Sequence, residues 1–282
     1  MVSRRTVVVA GLPVHVFSRI GLGDITGQVA VLFFLHGRQG AARELDGRAE
    51  SIISQVAGKG QSNTELLVVT LDQRNHGERL KDREGNNDWK DGNDRHAIDM
   101  YAMYVGTVRD VSFLIDFLPS YLFPASEATV ASWSIAGISL GGHAAWYALR
   151  HEPRLALGIP IIGCPDYLHL ISRRAAASGI AFEPPYIPAN FLAYVRAHDP
   201  PYAPYTTAGA TNPFTGKKVL VLSGGDDPIV PWESSDEFVQ KLEVGEDGTK
   251  KVVVYPGVGH KCTEDMVKEV CDFVWEHILS KA

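Results

Sequence analysis

The sequence predicts an α/β fold, with a mostly parallel sheet of eight strands and helices on both faces of the sheet. Two observations lead to this prediction. Segments with the apolar character of strands alternate along the chain with segments of helical periodicity. Some of the strand-like segments, such as Val29–Leu35, are apolar without interruption, which is typical of strands buried on both faces of a parallel sheet.

The first half of the chain contains four predicted strands and two long amphipathic segments. Gly11, Leu12 and Pro13 indicate a turn between the first two strands, and Pro119 indicates the end of the second helix. In chain order, the predicted elements are strands 6–10, 14–18, 29–35 and 66–71, with helix 44–56 before the fourth strand and helix 97–118 after it.

The second half of the chain predicts four more strands and three more helices. The strand-like segment before Ser139 is followed by a helix-like segment that contains Ala144–Leu149. Gly158 and Pro160 lie within the next strand, 155–162, and weaken that prediction. The remaining predicted elements are strands 218–223 and 250–255 and helices 233–242 and 263–279.

A proline-rich segment of about residues 165–216 lies between two of these strands. It contains three helix-like pieces, divided by Pro184-Pro185, Pro200-Pro201 and other prolines. We interpret it as a small helical cap inserted before strand 218–223, because long segments at such positions are more often functional than idle. The alternative is a long connection without a separate role.

Composition and charge limit the range of functions. The net charge of −6 argues against a nucleic-acid-binding surface, which is normally basic. The cysteines, Cys164, Cys262 and Cys271, have no metal-like spacing and suggest no disulfide framework. No apolar stretch approaches the length of about 18 residues that a membrane span needs, and the N-terminus does not have the pattern of a secretory signal. We therefore expect one cytoplasmic domain over residues 1–282, with neither a nucleic acid nor a membrane as partner.

The run Gly137-Ile138-Ser139-Leu140-Gly141 is the strongest functional signal. It has the form G-x-S-x-G and lies between a β-prone apolar segment and a helix. A sharp strand-to-helix turn of this kind exposes a nucleophilic serine, and only small residues fit beside it. A glycine-serine turn without a function is the alternative, but the flanking strand and helix favour the nucleophile.

A serine nucleophile needs a base, and the base needs a group that orients it. In open α/β sheets these groups lie in loops at the carboxyl ends of the strands. Asp226 and Asp227 follow strand 218–223, and His260 follows strand 250–255 between glycine-rich turns. Either aspartate could instead cap the helix that comes next. The order serine, aspartate, histidine, each at a strand end, favours a catalytic relay.

These motifs resemble those of α/β-hydrolase-fold proteins, and the resemblance extends from about Val29 to the C-terminus. The motifs are His36-Gly37-Arg38-Gln39-Gly40, the turn from Asp72 to Gly77, the G-x-S-x-G turn and the two loops that end at Asp227 and His260. Among known groups, the chain is similar to small esterases, dienelactone-hydrolase-like proteins and prolyl-oligopeptidase-like proteins. The resemblance implies a catalytic triad of Ser139, Asp227 and His260. Asp227 is favoured over Asp226 because it precedes the proline of the Asp-Pro-x-Val-Pro turn.

The resemblance also implies an oxyanion hole made of two backbone N–H groups. One belongs to Leu140, directly after the nucleophile, and the other belongs to Arg38, with Gln39 as the alternative donor. We expect the Arg38 side chain to face water. His36, together with Asp72 and His76, is expected to shape the turns around the site, and His143 lies on the wrong side of the nucleophile to act as its base.

Two tryptophans are candidate walls of a substrate pocket. Trp89 lies in the polar loop 81–95, where it either closes over the pocket or packs on the body of the protein. Trp232 follows the loop of Asp227. Aromatic residues of the cap segment are consistent with an apolar pocket or with a core of the cap itself.

The sequence therefore predicts a serine hydrolase that cleaves a small to medium carboxylic ester through an acyl-enzyme on Ser139. The alternatives are hydrolysis of a thioester, lactone or amide, dienelactone-type hydrolysis, and a non-catalytic member of the fold that binds small molecules. We expect a small ester-like molecule as the partner and no cofactor or metal.

Overall fold

In the computed structural model, which describes residues 2–280, eight strands form one mixed sheet. The strands are β1 (Ser3–Val9), β2 (Leu12–Ser18), β3 (Gly27–Leu35), β4 (Thr64–Leu71), β5 (Ala128–Ile138), β6 (Leu155–Ile161), β7 (Lys218–Gly224) and β8 (Thr249–Tyr255). Their order across the sheet is β1-β2-β4-β3-β5-β6-β7-β8. β2 pairs antiparallel with β1 and with β4, and all other pairs are parallel. The predicted mostly parallel sheet of eight strands is confirmed.

The α-helices of the described chain are α1 (Asp46–Ala57), α2 (His96–Leu122), α3 (Leu140–His151), α4 (Tyr167–Ala177), α5 (Ala189–His198), α6 (Asp236–Lys241) and α7 (Glu264–Val274). The predicted helices 233–242 and 263–279 are each divided, because a 3-10 turn precedes α6 and a π-helical turn follows α7. No helix within residues 2–280 has the length and apolar character of a membrane-spanning segment.

Helix α2 continues past the residue that was predicted to end it. Pro119 lies inside its last turn, and the helix ends at Leu122. Leu118 and Leu122, one turn apart on the same face, are both buried. Proline removes one hydrogen bond toward the preceding turn but does not prevent the backbone after it from remaining helical. Burial of the two leucines therefore stabilises the helical turn that follows the proline.

The side chains of β3 alternate between two apolar cores. Val31 and Phe33 are buried on one face of the sheet with residues of α2 and α3. Leu32 and Phe34 are buried on the opposite face with residues of α1 and α7. Because successive residues of a strand point to opposite faces, a strand covered on both sides needs apolar residues at every position. This explains the uninterrupted apolar run that the sequence contains here.

The segment predicted as a cap contains α4, α5 and a 3-10 turn at Pro200–Tyr202. Tyr167 of α4 and Val195 of α5 belong to the same core cluster as the buried face of α2. The ring of Tyr101 in α2 contacts those of Tyr167 and Phe191 edge-on, at centroid distances of 4.9 and 5.7 Å. The segment therefore shares its apolar core with the helices on that face of the sheet.

The first turn of α3 lies against the carboxyl ends of two parallel strands. A Cβ atom on Gly141 would lie 2.5 Å from the carbonyl oxygen of Leu35, at the end of β3. On Gly142 it would lie 2.7 Å from the carbonyl oxygen of Ile161, at the end of β6. On Gly137 it would lie 2.1 Å from the carbonyl oxygen of Gly141. Glycine is therefore required at all three positions, because any side chain would collide with backbone.

Replacing Gly141 by alanine tests this close approach. We expect Gly141→Ala to lower the free energy of unfolding by about 1–3 kcal/mol or more, because the backbone of β3 or α3 must move to admit the methyl group. Denaturant-induced unfolding of the purified variant measures the change. Gly47→Ala is the matched control, since a Cβ at this helical position meets no atom within 4 Å. The control should be neutral or stabilising by up to about 1 kcal/mol, and equal destabilisation of both variants would contradict the packing account.

Candidate active site

Ser139 occupies the turn between β5 and α3, at the carboxyl ends of the parallel strands. Its φ of +56° lies in the left-handed region, which costs a non-glycine residue on the order of 1–3 kcal/mol. Two hydrogen bonds of 2.9 Å hold it there: its N–H donates to the carbonyl oxygen of Ile161, and its own carbonyl oxygen accepts from the N–H of His143. The sharp turn predicted from the G-x-S-x-G pattern is therefore present, its backbone is strained at Ser139, and it presents the hydroxyl at the strand ends.

The structure brings Ser139, His260 and Asp227 into one hydrogen-bonded relay, although they lie far apart in the sequence. His260 Nε2 is 2.8 Å from Ser139 Oγ, and His260 Nδ1 is 2.7 Å from Asp227 Oδ2. A carboxylate only accepts hydrogen bonds, so Nδ1 carries the ring proton and Nε2 is free to accept from the serine hydroxyl. This is the tautomer that a histidine needs to act as a general base toward serine.

The surroundings of the two candidate aspartates differ sharply. Asp227 is 4% exposed, and its Oδ1 accepts from the N–H groups of Ile229 and Val230, each at 2.9 Å. Burial alone would raise the pKa of the Asp227 carboxyl, but the hydrogen bonds from His260 and from these N–H groups outweigh it and leave the pKa below its ordinary value. Asp226 is exposed to solvent. The geometry therefore places Asp227, and not Asp226, beside the histidine.

The backbone around the predicted oxyanion donors approaches the serine closely. A Cβ on Gly37, the residue before Arg38, would lie 3.6 Å from Ser139 Cβ. Leu140 is the first residue of α3, where N–H groups have no acceptor within the helix. Among residues 2–280, neither the Arg38 nor the Leu140 N–H donates to a protein acceptor. Both N–H groups are thus free for an anionic oxygen, as is required of an oxyanion hole.

His36 fixes the turn that carries the first of these N–H groups. Its Nδ1 is 2.7 Å from the carbonyl oxygen of Gly37, and its Nε2 accepts from the N–H of Gln73 at 3.0 Å. The Gln73 side-chain amide in turn donates to the His36 carbonyl oxygen. Burial lowers the pKa of His36, so the ring is neutral at pH 7. These contacts give His36 a positioning role at the turn.

Asp72 and His76 lie in the neighbouring turn. Asp72 accepts from the N–H groups of Ala42 and Glu78, each at 2.8 Å, and so joins two loops. His76 Nδ1 is 2.9 Å from the carbonyl oxygen of Arg74, and burial lowers the pKa of His76 to about 4. Neither residue is part of the hydrogen-bonded relay with Ser139.

His143 is fully buried in α3, behind the serine. Its Nδ1 faces the backbone of Cys164, with the carbonyl oxygen at 2.9 Å and the N–H at 3.0 Å. Burial lowers the pKa of His143 to about 3, so it remains neutral. Its contacts are structural, and it lies outside the relay with Ser139.

A cavity of about 310 Å³ contains Ser139 and His260 in its wall. The charged residues of this wall are Arg38, Glu44, Arg48 and Lys261. Cys262 also contributes to the wall, but burial raises the pKa of its thiol to about 11, so it is not a competing thiolate at neutral pH. No group of three or more histidine, cysteine or acidic side chains in residues 2–280 is arranged to hold a metal ion.

The structure separates the two tryptophans predicted to line the pocket. Trp89 is 8% exposed; its indole N–H donates to the carbonyl oxygen of Asp94 at 3.3 Å, and its ring contacts His96 edge-on. It packs on the body and lines a second cavity, of about 270 Å³, next to the first. Trp232 packs against the cluster that contains Trp146 and not against the cavity of Ser139. The structure therefore does not support its prediction as a pocket wall.

The side chain of Arg38 corrects a further expectation. It does not simply face water: it is partly buried, and Nη1 donates to the carbonyl oxygen of Asn86 at 2.7 Å. Arg38 lines the second cavity together with Arg174 from α4, and the charges of both arginines act on His96 in the same wall. Nothing in the sequence singled out Arg174, because one arginine in an amphipathic helix is an ordinary surface residue.

Comparisons with known proteins are informative at the level of three-dimensional structure. No protein-family model and no curated protein sequence matches the chain. Solved structures do match. TT1662 from Thermus thermophilus has a TM-score of 0.67 and 21% sequence identity, over 98% of this chain and 99% of that one.

Two further solved structures carry descriptive names. The esterase Pf2001 from Pyrococcus furiosus has a TM-score of 0.54 and 16% identity, over 98% of this chain and 92% of that one. The acylaminoacyl peptidase from Pyrococcus horikoshii has a TM-score of 0.62 and 14% identity, over 100% of this chain but 42% of that one. At such identities the likeness concerns the fold. The sheet order, the strained serine turn and these structural neighbours together establish that the chain has the α/β-hydrolase fold.

Proposed function

We propose that this protein is a serine hydrolase that cleaves a small to medium carboxylic ester through an acyl-enzyme on Ser139. The observation that carries the proposal is the relay of Ser139, His260 and Asp227, with heavy-atom distances of 2.8 and 2.7 Å. Such distances lie within the range that proton transfer between a nucleophile and its base requires. The free N–H groups of Arg38 and Leu140 support the same proposal, because acyl transfer generates a negative oxygen that needs donors.

The first half of the reaction forms the acyl-enzyme. Ser139 Oγ attacks the ester carbonyl carbon while His260 Nε2 takes the hydroxyl proton, and Asp227 stabilises the resulting imidazolium. The carbonyl oxygen becomes an oxyanion and accepts hydrogen bonds from the two N–H groups. When the intermediate collapses, the carbon–oxygen bond to the leaving group breaks, and His260 returns the proton to the departing alcohol.

The second half releases the acid. A water molecule enters where the alcohol left, and His260 takes one of its protons as the oxygen attacks the acyl carbon. The second tetrahedral intermediate uses the same oxyanion donors. Its collapse breaks the bond to Ser139 Oγ, which regains a proton from His260. The products are one alcohol and one carboxylic acid, and the enzyme returns to its starting state.

The cavity of about 310 Å³ supports a small to medium substrate, and the likeness to a solved esterase supports the ester bond. Thioesters, lactones and amides react through the same intermediates, and another neighbour is a peptidase. Rates on p-nitrophenyl esters of graded acyl length, compared with rates on a lactone and an anilide, distinguish these bonds. Binding without turnover of any of them would favour the non-catalytic alternative.

Removing the nucleophile tests the proposal directly. We expect Ser139→Ala to lose esterase activity by at least about a thousandfold, because the covalent route no longer exists. A fluorophosphonate probe should add one phosphonyl group to the wild type, and peptide mass spectrometry should locate it on Ser139. The thermal midpoint of the variant is the control for folding. Undiminished hydrolysis by a folded Ser139→Ala variant would refute the assignment.

The two neighbouring aspartates provide a matched pair of variants. Asp227→Asn keeps an oxygen for the N–H groups of Ile229 and Val230 but removes the charge that orients His260. In a comparable serine protease, this exchange lowers kcat by about 10⁴-fold, and we expect a loss of that order here. Asp226→Asn, at an exposed position whose side chain is not part of the relay, should retain kcat within about twofold. Assays of kcat for both variants decide the assignment, and a larger loss in Asp226→Asn would reverse it.

A further inference from the structure

The second cavity adjoins the cavity of Ser139, and Arg38 lines both. Arg174 lines the second cavity from the side of the cap segment. Within residues 2–280, neither of these two guanidinium groups forms an ion pair with a carboxylate, whereas Arg4, Lys59 and Arg79, for example, do. Two arginines without a carboxylate partner thus meet beside the candidate nucleophile.

Neutral backbone groups hold both guanidinium groups in place. Arg38 Nη1 donates to the carbonyl oxygen of Asn86 at 2.7 Å, and Arg174 Nη2 donates to that of Ile229 at 2.9 Å. Arg174 Nη1 also lies 3.1 Å from Met100 Sδ, a weak acceptor. Each guanidinium has five N–H donors, so these contacts orient the groups while several donors remain for a ligand.

The charge of this second cavity is positive although the chain as a whole carries −6. Lys90 adds a third cation to its wall, and Asp88 is the one carboxylate there. His96 also lines the cavity, but burial and the two arginines lower its pKa to about 4, so it is neutral at pH 7. The cations therefore exceed the anions in a cavity that is partly shielded from water, where attraction for an anion is stronger than in bulk solvent.

We propose that Arg38 and Arg174 form a subsite for a carboxylate of the substrate, so that the preferred ester carries a free carboxylate group. This inference rests on the proposed hydrolysis at Ser139. Planar guanidinium groups bind carboxylates through paired hydrogen bonds, which gives both affinity and orientation. The apolar wall residues Pro228 and Ile229 suit a short hydrocarbon spacer between the two groups of the substrate.

Arg38 sets the distance between the carboxylate and the reacting carbonyl. Its backbone N–H is a candidate oxyanion donor, and its side-chain charge acts on His96 in the wall of the second cavity, which Arg38 also lines. The backbone nitrogen and the guanidinium carbon of one arginine are six bonds apart, so the two substrate groups are separated by on the order of 7–10 Å once hydrogen-bond lengths are included. Four methylene groups place the ester carbonyl and carboxylate carbons about 6 Å apart and their outer oxygen atoms, which accept the hydrogen bonds, about 8 Å apart, within this range.

Matched pairs of substrates test the subsite in the wild-type protein. Mono-p-nitrophenyl adipate and p-nitrophenyl adipamate differ only by carboxylate and carboxamide, on the acyl side. 4-Acetoxybenzoate and 4-acetoxybenzamide make the same comparison on the leaving-group side. We expect kcat/KM to favour the carboxylate in at least one pair by about tenfold or more, as a charge-assisted hydrogen bond predicts. Equal rates, or a preference for the amide in both pairs, would overturn the subsite.

Variants of two adjacent arginines locate the effect. Arg174→Gln should lower the carboxylate-to-amide ratio of kcat/KM by at least about threefold, because a neutral amide replaces one of the two guanidinium groups while Arg38 remains. Arg173→Gln changes an exposed arginine of the same helix and should keep the wild-type ratio. An unchanged ratio in a folded Arg174→Gln variant would overturn the assignment. If the Arg174→Gln variant does not fold, the carboxylate-to-amide ratio of kcat/KM in the wild type still shows whether the protein prefers a carboxylate.

If the protein does not hydrolyse esters at Ser139, the experiment gives a result that differs from failure of the subsite alone. In that case none of the four esters is hydrolysed, and the subsite is tested by calorimetric titration of the wild type with monomethyl adipate and with methyl adipamate. Tighter binding of monomethyl adipate than of methyl adipamate, with a smaller difference in Arg174→Gln, would support the anion subsite in a protein that is not an esterase. Equal binding of the two probes would overturn the subsite as well.

Discussion

The contact of α3 with the ends of β3 and β6 is the constraint on which the site depends. Gly141 and Gly142 allow backbone to touch backbone there, and Ser139 is held with a positive φ at the junction. Ile162, directly after β6, continues this connection, because its N–H donates to the carbonyl oxygen of Leu222 in β7 at 2.7 Å. Through that bond the strand that leads to Asp227 keeps its position relative to the nucleophile.

The histidines and carboxylates around the site differ in their charge states and in their hydrogen-bond partners, and these differences separate structural from candidate catalytic residues. Burial lowers the pKa values of His36, His76 and His143 and keeps them neutral. In each of the three rings Nδ1 contacts a backbone group, so these histidines fix loops. His260 differs because both of its ring nitrogens face side chains, one of which is a carboxylate. Asp227 remains ionised despite burial because three hydrogen bonds converge on it. The low-dielectric surroundings that keep the other imidazole rings neutral also strengthen the interaction between Asp227 and His260.

Most of the fold and the relay could be predicted from the sequence, because each left a local pattern. An uninterrupted apolar run marks a strand covered on both faces, and loops at strand ends must meet at one edge of the sheet. The cavity walls left no such pattern. Arg174 lines the second cavity from α4, which lies far from Arg38 in the sequence. Trp232 packs against the cluster that contains Trp146 and not against the cavity of Ser139. Which way a single side chain points depends on packing between distant segments, and neither composition nor spacing records it.

In the proposed mechanism and subsite, Arg38 makes two contributions that are chemically independent. Every residue except proline supplies a peptide N–H, so exchanging the side chain at this position leaves the donor next to Ser139 in place. The guanidinium, by contrast, belongs to arginine alone. If the proposed function and subsite hold, substitutions at this single position can change which molecules the pocket accepts while the catalytic groups stay in place, and variant libraries at position 38 are a natural starting point for altering selectivity.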